Sequence, residues 1–309
     1  MIKYIFKRLL WVIPVMFGVS FIVFSIMHFS PGDPITIILG ESASPEAIAQ
    51  LTEKLGLDRP FIVQFGNYAY NVFFKFDLGR SYINNRQVMT EILTRLPNTM
   101  KLAGLSIGVA ALVGIPLGVL AAIKPNSKAD NFIMVLSLVG VSMPAFWMGL
   151  ILIITFSLNL GWFPTTGFDN PNQMVLPVFT LASASIGSIA RITRSSYLDV
   201  AGQDFIRTAR AKGASNFTVI FEHTLRNALL PVITVIGLQF GSLLGGAVLT
   251  ETIFSINGLG TLMVNAIRQR DMMIVQGSVL FVALVFTVVN LGVDILYAFI
   301  DPRISQQYK

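Results

Sequence analysis

Long apolar runs separated by short polar and basic stretches set the pattern of this chain. About 20 consecutive apolar residues are needed to cross roughly 30 Å of hydrocarbon. Six windows reach or approach that length: 9–29, 102–123, 132–160, 175–190, 229–250 and 274–300. The fourth is short and rich in small residues; it is expected to extend towards Thr193, or to have its ends shielded by neighbouring helices. The third contains Pro144, which removes a backbone donor and crowds the preceding turn, so a kink or tilt is expected there. The pattern predicts an all-α polytopic membrane protein with six transmembrane helices.

Composition agrees. The chain is 54% hydrophobic and 12% charged, with a mean hydropathy of +0.70, whereas a soluble domain carries about 25% charged residues. The net charge of +6 is segregated rather than spread over a nucleic-acid face. With both termini placed in the cytoplasm, the inner segments carry Lys3, Lys7, Arg8, Lys124, Lys128, Arg191, Arg194, Arg207, Arg210, Lys212, Arg226, Arg303 and Lys309. The short outer loops, 161–174 and 251–273, carry only Arg268 and Arg270. That asymmetry is the positive-inside rule at work. The window 9–29 is longer than a signal-peptide core and no small-residue cleavage pattern follows it, so it reads as an uncleaved first span.

Three parts follow from this layout: a cytoplasmic N-terminus and first span over 1–29, an external segment over 30–101, and a five-span core over 102–309 with a cytoplasmic loop at 191–228. The external segment is too long for a bare connector. Ser44-Pro45-Glu46 supplies a cap, a proline at the first helical position and an acid in the first turn, and Gly56 is placed to end that helix. A second helix should begin near Pro60 and run through Gln64, Tyr68 and Phe73, and a third should cover 88–96. Together they form a small helical subdomain over the external mouth.

Catalysis has no obvious seat. There is no G-x-x-x-x-G-K-S/T phosphate loop. No cysteine is present, and the two histidines, His28 and His223, stand far apart on opposite sides of the membrane, so no metal site is expected. His28 reads as an interfacial histidine. Within the spans, Asp294 and Glu251 are ionisable, which by default marks a functional site; here a structural role is favoured, because no further acids suggest a proton relay. Gly237, Gly241 and Gly245 recur every four residues in the fifth span, and Gly104/Gly108 and Gly114/Gly118 recur in the second. Such faces let helices approach closely, either within one bundle or, for the fifth span, against a homologous partner around a translocation path.

The loop at 191–228 carries more punctuation than an orienting loop needs. Asp204 can cap a short helix, and Gly213 can end it in the left-handed conformation. A second helix is expected from Asn216 to Asn227, broken before Pro231. The resulting knob is basic through Arg207, Arg210 and Lys212, with Phe205, Ile206 and Ala209 as an apolar anchor. It reads as a docking element for a partner protein.

The run Arg207-Thr208-Ala209-Arg210-Ala211-Lys212-Gly213-Ala214, followed by His223-Thr224-Leu225-Arg226-Asn227-Ala228-Leu229-Leu230-Pro231, resembles the EAA loop of bacterial ABC importer permeases. More narrowly, the chain resembles the first permease subunit of the dipeptide/oligopeptide/nickel group. Pro31-Gly32-Asp33-Pro34, Leu55-Gly56-Leu57-Asp58-Arg59-Pro60, Asp77-Leu78-Gly79-Arg80-Ser81 and Arg95-Leu96-Pro97-Asn98-Thr99 carry the likeness on the outside. Ser142-Met143-Pro144-Ala145-Phe146-Trp147, Arg191-Ile192-Thr193-Arg194-Ser195-Ser196, Glu251-Thr252-Ile253-Phe254-Ser255, Gly258-Leu259-Gly260 and Asp301-Pro302-Arg303 carry it further along.

The resemblance implies a type I ABC importer permease fold. It implies that 204–214 (Asp204, Phe205, Ile206, Arg207, Thr208, Ala209, Arg210, Ala211, Lys212, Gly213 and Ala214) forms the element coupled to a separate ATPase. The family's acidic residue in this loop is replaced by Thr208, a departure shared with the peptide-type group. The implied partners are a second homologous permease, two ATPase subunits that bind ATP and magnesium, and an extracellular or periplasmic binding protein. No cofactor or nucleic acid is implied for this chain. The implied location is a bacterial or archaeal cytoplasmic membrane, and the implied solute is a short peptide, with nickel, a metal chelate or glutathione as the alternative. An ion-driven carrier is the remote rival: it would lean on Asp294 and survive loss of the loop.

Overall fold

In the computed structural model, residues 2–29, 34–40 and 43–300 are described, apart from the side chains of residues 2–8, 34, 294 and 296–300. Thirteen α-helices follow one another over the described residues. The first four are α1 (Ile2–Phe29), α2 (Pro34–Leu39), α3 (Pro45–Leu55) and α4 (Phe61–Lys75). They lead to α5 (Val88–Ile123), α6 (Lys128–Ser142), α7 (Ala145–Leu152) and α8 (Pro171–Ala201). Next come α9 (Asp204–Ala211), α10 (Asn216–Thr218), α11 (Arg226–Ile253), α12 (Leu259–Gln269) and α13 (Met272–Ile300), with π-helical turns at Ile153–Asn159 and Val219–Leu225. Among the described residues, five helical segments are long and apolar enough to cross a membrane, and six if the bent α6–α7 pair is one span.

That pair departs from a simple kink. The chain turns by 106° between 128–142 and 145–159. Met143, just before Pro144, is extended at φ −76° and ψ 128°, the conformation that proline steric crowding imposes on its predecessor. α8 is also longer than the expected 175–190. It begins at Pro171, where the Asn170 N–H donates to Gln173 Oε1 at 3.1 Å, and it continues past Thr193 to Ala201.

The chain divides into two compact units. The first comprises, of the described residues, 100–256 and 288–300. Its centre is α8, whose small residues admit neighbours on several sides. A Cβ on Gly118 of α5 would lie 2.5 Å from both the Ala190 carbonyl and Thr193 Cβ. One on Gly140 would lie 3.0 Å from the Ser183 carbonyl, and one on Gly187 would collide with the Ser137 carbonyl. These contacts place backbone against backbone, as small-residue membrane interfaces do. Gly118→Leu should therefore lower thermal stability in detergent by about 3 kcal/mol, the upper range for overpacking a close-packed site. Gly104→Ala, with no atom within 4 Å of its Cβ position, should leave the unfolding temperature unchanged or raise it.

The second unit comprises 2–99 and 257–287. α3 forms as its sequence demands: Ser44 caps it by accepting from the Ala47 N–H, and Gly56 closes it at φ 66°. α4 runs antiparallel to α1 through an aromatic seam. Phe29 and Phe24 meet Phe61, Phe21 meets Phe65 at 5.0 Å, and Phe17 meets Phe73 at 6.3 Å. Stacked, tilted and edge-on ring pairs of this kind add to the burial of their surfaces.

The helix expected over 88–96 does not stop there, because α5 runs on through Pro97 to Ile123. Tertiary bonds hold it across the proline: Asn98 Nδ2 donates to the Asn257 carbonyl at 2.9 Å, and Thr99 Oγ1 accepts from the Leu259 N–H at 2.9 Å. Asp271, 3% exposed, accepts from the Ser81 hydroxyl and from the Tyr82 N–H, and it caps α13 through the Ile274 N–H. Glu91, 4% exposed, is held by Arg95 and Arg86.

Candidate functional site

The loop between α8 and α11 is where exposed charge and exposed apolar surface meet. α8 ends at Ala201, and only Gly202 and Gln203 separate it from α9. Asp204 does not cap α9 as expected. Gln203 holds the N-cap position, in extended conformation and without a side-chain bond. Asp204 is instead the first helical residue, where its exposed carboxylate favours the positive end of the helix dipole and stands 3.6 Å from Arg207. Both groups are solvent-facing, so that pair contributes little to stability.

The C-terminal end of α9 is a Schellman closure. The Gly213 N–H donates to the Arg210 carbonyl at 3.0 Å, and the Ala214 N–H reaches back to the Ala209 carbonyl at 3.2 Å. This closure needs a left-handed residue, and Gly213 sits at φ +84°. No atom lies within 4 Å of its Cβ position, so the demand for glycine is conformational and not steric.

Side chains along α9 divide by face. Ile206 is fully buried; it anchors the helix to its own chain and is not available to a partner, a correction to the grouping of Ile206 with Phe205. Ala209 and Ala214 are half-buried, while Asp204, Phe205, Arg207, Thr208, Arg210, Ala211, Lys212 and Gly213 are exposed. Ser215 then caps α10, accepting from the Thr218 N–H at 3.2 Å. The expected helix over 216–227 is not a separate piece. A π-helical turn carries it into α11, which passes Pro231 without a break. Burial on both sides of the proline, at Ala228 and Val232, overrides the local preference; neighbouring helices routinely allow this in membrane helices.

Two aromatic residues of this loop escaped the sequence reading. Phe217 and Phe221, one helical turn apart, pair with ring centroids 4.6 Å apart and remain 67% and 45% exposed. Their spacing was the available signal. With Phe205, 43% exposed, they give the basic knob an apolar component. Beside the loop, Val119 and Ala122 of α5, Tyr197 of α8 and Ala228 of α11 form a buried cluster against which Ile220 and Leu225 of the π-helical turn pack.

A second missed feature lies in the same unit. Arg194 of α8 grips Asp130 of α6 as a fork, Nε to Oδ1 and a terminal nitrogen to Oδ2, each at 2.6 Å. Asp130 is 1% exposed and also accepts the Asn126 N–H at 2.8 Å. Bidentate pairing of this kind fixes geometry as well as charge.

The remaining candidates scatter. A Cβ on Gly237 would collide with Val293 of the same chain, Gly241 is buried, and Gly245 has open space around it. Glu251, for which a structural role is expected, is fully buried. The side chain of Asp294 lies outside the described residues.

Comparison with known proteins agrees with this geometry. Residues 114–306 match the family model described as the binding-protein-dependent transport system inner membrane component. Residues 1–103 match the model of the corresponding N-terminal part. A putative peptide transport system permease protein of Brucella abortus is 45% identical, over 97% of this chain and 98% of its own length. The dipeptide transport system permease protein DppB of Alkalihalophilus pseudofirmus is 43% identical, over 99% and 100%. The glutathione transport system permease protein GsiC of Escherichia coli is 43% identical, over 98% and 99%. Among solved structures, a chain of the inward-facing MetNI methionine ABC transporter matches with a TM-score of 0.60 at 16% identity, covering 69% of this chain and 97% of that one. At that identity the likeness speaks for the fold, a type I ABC importer permease.

Proposed function

The chain belongs to the family of binding-protein-dependent transport system inner membrane components, and from that premise we propose that it forms half of the path through which an ATP-driven importer takes up short peptides. The observation that carries this reading is the α9 knob. It is a short helix closed by a left-handed glycine, with basic and aromatic groups facing outward and one isoleucine holding it to its own chain. The chain has no phosphate-binding loop of its own, so the nucleotide and its magnesium belong to separate ATPase subunits, two per transporter.

α9 is joined to α8 by two residues and to α11 by an unbroken helical run from α10. A push on α9 is therefore delivered to two membrane helices at once. Arg194 and Asp130 extend the push to α6, ahead of the 106° bend. ATP-driven closure of the ATPase pair thus tilts the helices between outward and inward openings, an alternating-access cycle. A second, homologous permease supplies the other wall, with Gly245 of α11, exposed and with open space at its Cβ position, as the candidate approach point. The termini are assigned to the cytoplasm, and a binding protein delivers solute on the opposite side.

Peptides are preferred because relatives similar over nearly the whole chain are named for peptide and dipeptide transport. Glutathione, itself a tripeptide, is the second reading, favoured by the GsiC likeness. In proteoliposomes holding both permeases and both ATPases, uptake of radiolabelled tri-alanine should require internal ATP and the external binding protein. Uptake that persists without the ATPases would sink the proposal.

A further inference from the structure

The second unit holds a cavity of about 190 Å³ among α1, the α3–α4 turn, α4, the 77–82 loop and the start of α13. Its walls are built deliberately. Gln64 Nε2 donates to the Leu57 and Arg59 carbonyls, at 3.1 and 2.8 Å, and so fixes the α3–α4 turn. Gly79, at φ +83°, has the Met273 methyl 3.1 Å from its Cβ position.

Polar groups in this cavity are unspent. Gln276, Tyr68, Tyr82, Asn67 and Asn71 line it, and none of their side chains makes a hydrogen bond among the described residues. Gln276 is 6% exposed, and its carboxamide opens on the cavity without a hydrogen-bond partner among the described residues. Burial pushes the Tyr68 phenol up to about 12, and burial with the nearby Asp271 charge does the same to Tyr82, so both keep their protons as donors. Among the described residues no lysine or arginine lines the space; besides the two phenols, the titratable groups there are Asp77 and His28. Phe24 and Met272 contribute apolar wall.

We infer that this cavity is a receiving site for a short stretch of polypeptide backbone, whose amides the Gln276, Asn67 and Asn71 carboxamides and the two phenols would satisfy. Carboxamides and neutral phenols match backbone N–H and C=O groups, and the apolar walls take a small side chain. Asp77, with one oxygen accepting the Gly79 N–H at 2.8 Å, leaves its other oxygen for a peptide amino terminus. The lack of a lining cation disfavours phosphate or a free carboxylate as the main determinant. The backbone can come from the cargo or from a loop of the binding protein. The cargo source rests on the peptide reading above.

The test is equilibrium binding of radiolabelled tri-alanine, and separately of peptide-free binding protein, to the nucleotide-free transporter in lipid nanodiscs. Gln276→Met and Asn71→Leu are compared with wild type, and thermal unfolding is followed in parallel. Each variant should weaken binding of one probe at least tenfold. Gln276→Met should leave the unfolding temperature near that of wild type, because the carboxamide it removes makes no hydrogen bond among the described residues. Loss of tri-alanine binding identifies cargo, and loss of binding-protein docking alone identifies a partner loop. Unchanged binding of both probes, or no wild-type binding of either, overturns the site. The assay needs no ATP, so failure of ATP-driven uptake would count against the transport reading without deciding this one.

Discussion

Gly213→Val should abolish ATP-driven uptake while leaving the chain inserted in the membrane. At φ +84° a β-branched residue is strained by about 1–3 kcal/mol, and the two closing bonds from Gly213 and Ala214 to Arg210 and Ala209 cannot both survive relaxation. The strain is local, since nothing lies near the Cβ position and the membrane helices are untouched. The expected result is uptake below a tenth of wild type, with weakened co-purification of the ATPase. Gly213→Asn should retain much of the activity, because asparagine visits the left-handed region far more readily than valine. If valine and asparagine behave alike, the closure of α9 is not what matters.

The second large effect is an asymmetry. Arg194→Leu should cost about 3–5 kcal/mol, the range for stranding one partner of a buried ion pair. It leaves the Asp130 carboxylate, 1% exposed, with the Asn126 N–H alone. Asp130→Asn should cost clearly less, because the Arg194 side chain is 25% exposed and can carry its guanidinium into water. Arg194→Lys should fall between, keeping charge but losing the fork. Thermal unfolding of the purified transporter ranks the three. Equal losses from Arg194→Leu and Asp130→Asn would mean that the pair is not balanced as its burial indicates.

What could be read in advance was local. Ser44, Pro45 and Gly56 bracket α3 through short-range hydrogen bonds and backbone preference, and the structure uses them accordingly. Gly213 was legible for the same reason. The misreadings at Pro97 and Pro231 share a cause: each proline weakens a helix locally, but bonds to Asn257 and Leu259, or burial at Ala228 and Val232, hold it together. The Asp130–Arg194 pair spans 64 residues, and no periodicity announces it. Ile206 looked like a docking residue because its exposure depends on which face of α9 meets the rest of the chain. The cavity around Gln276 draws on segments from Phe24 to Gln276, and each of its polar residues is unremarked where it stands in the sequence.

The account rests above all on α9 meeting an ATPase. The chain contains no cysteine, so single cysteines report cleanly. Phe205→Cys, Arg207→Cys and Trp162→Cys, introduced one at a time into the assembled transporter, should be treated with a short thiol-to-amine cross-linker and probed for adducts with the ATPase. Adducts from Phe205→Cys and Arg207→Cys, with none from Trp162→Cys in the loop assigned to the opposite side, are the predicted result. Adducts from Trp162→Cys, or none from either α9 position in a complex that still imports solute, would contradict it.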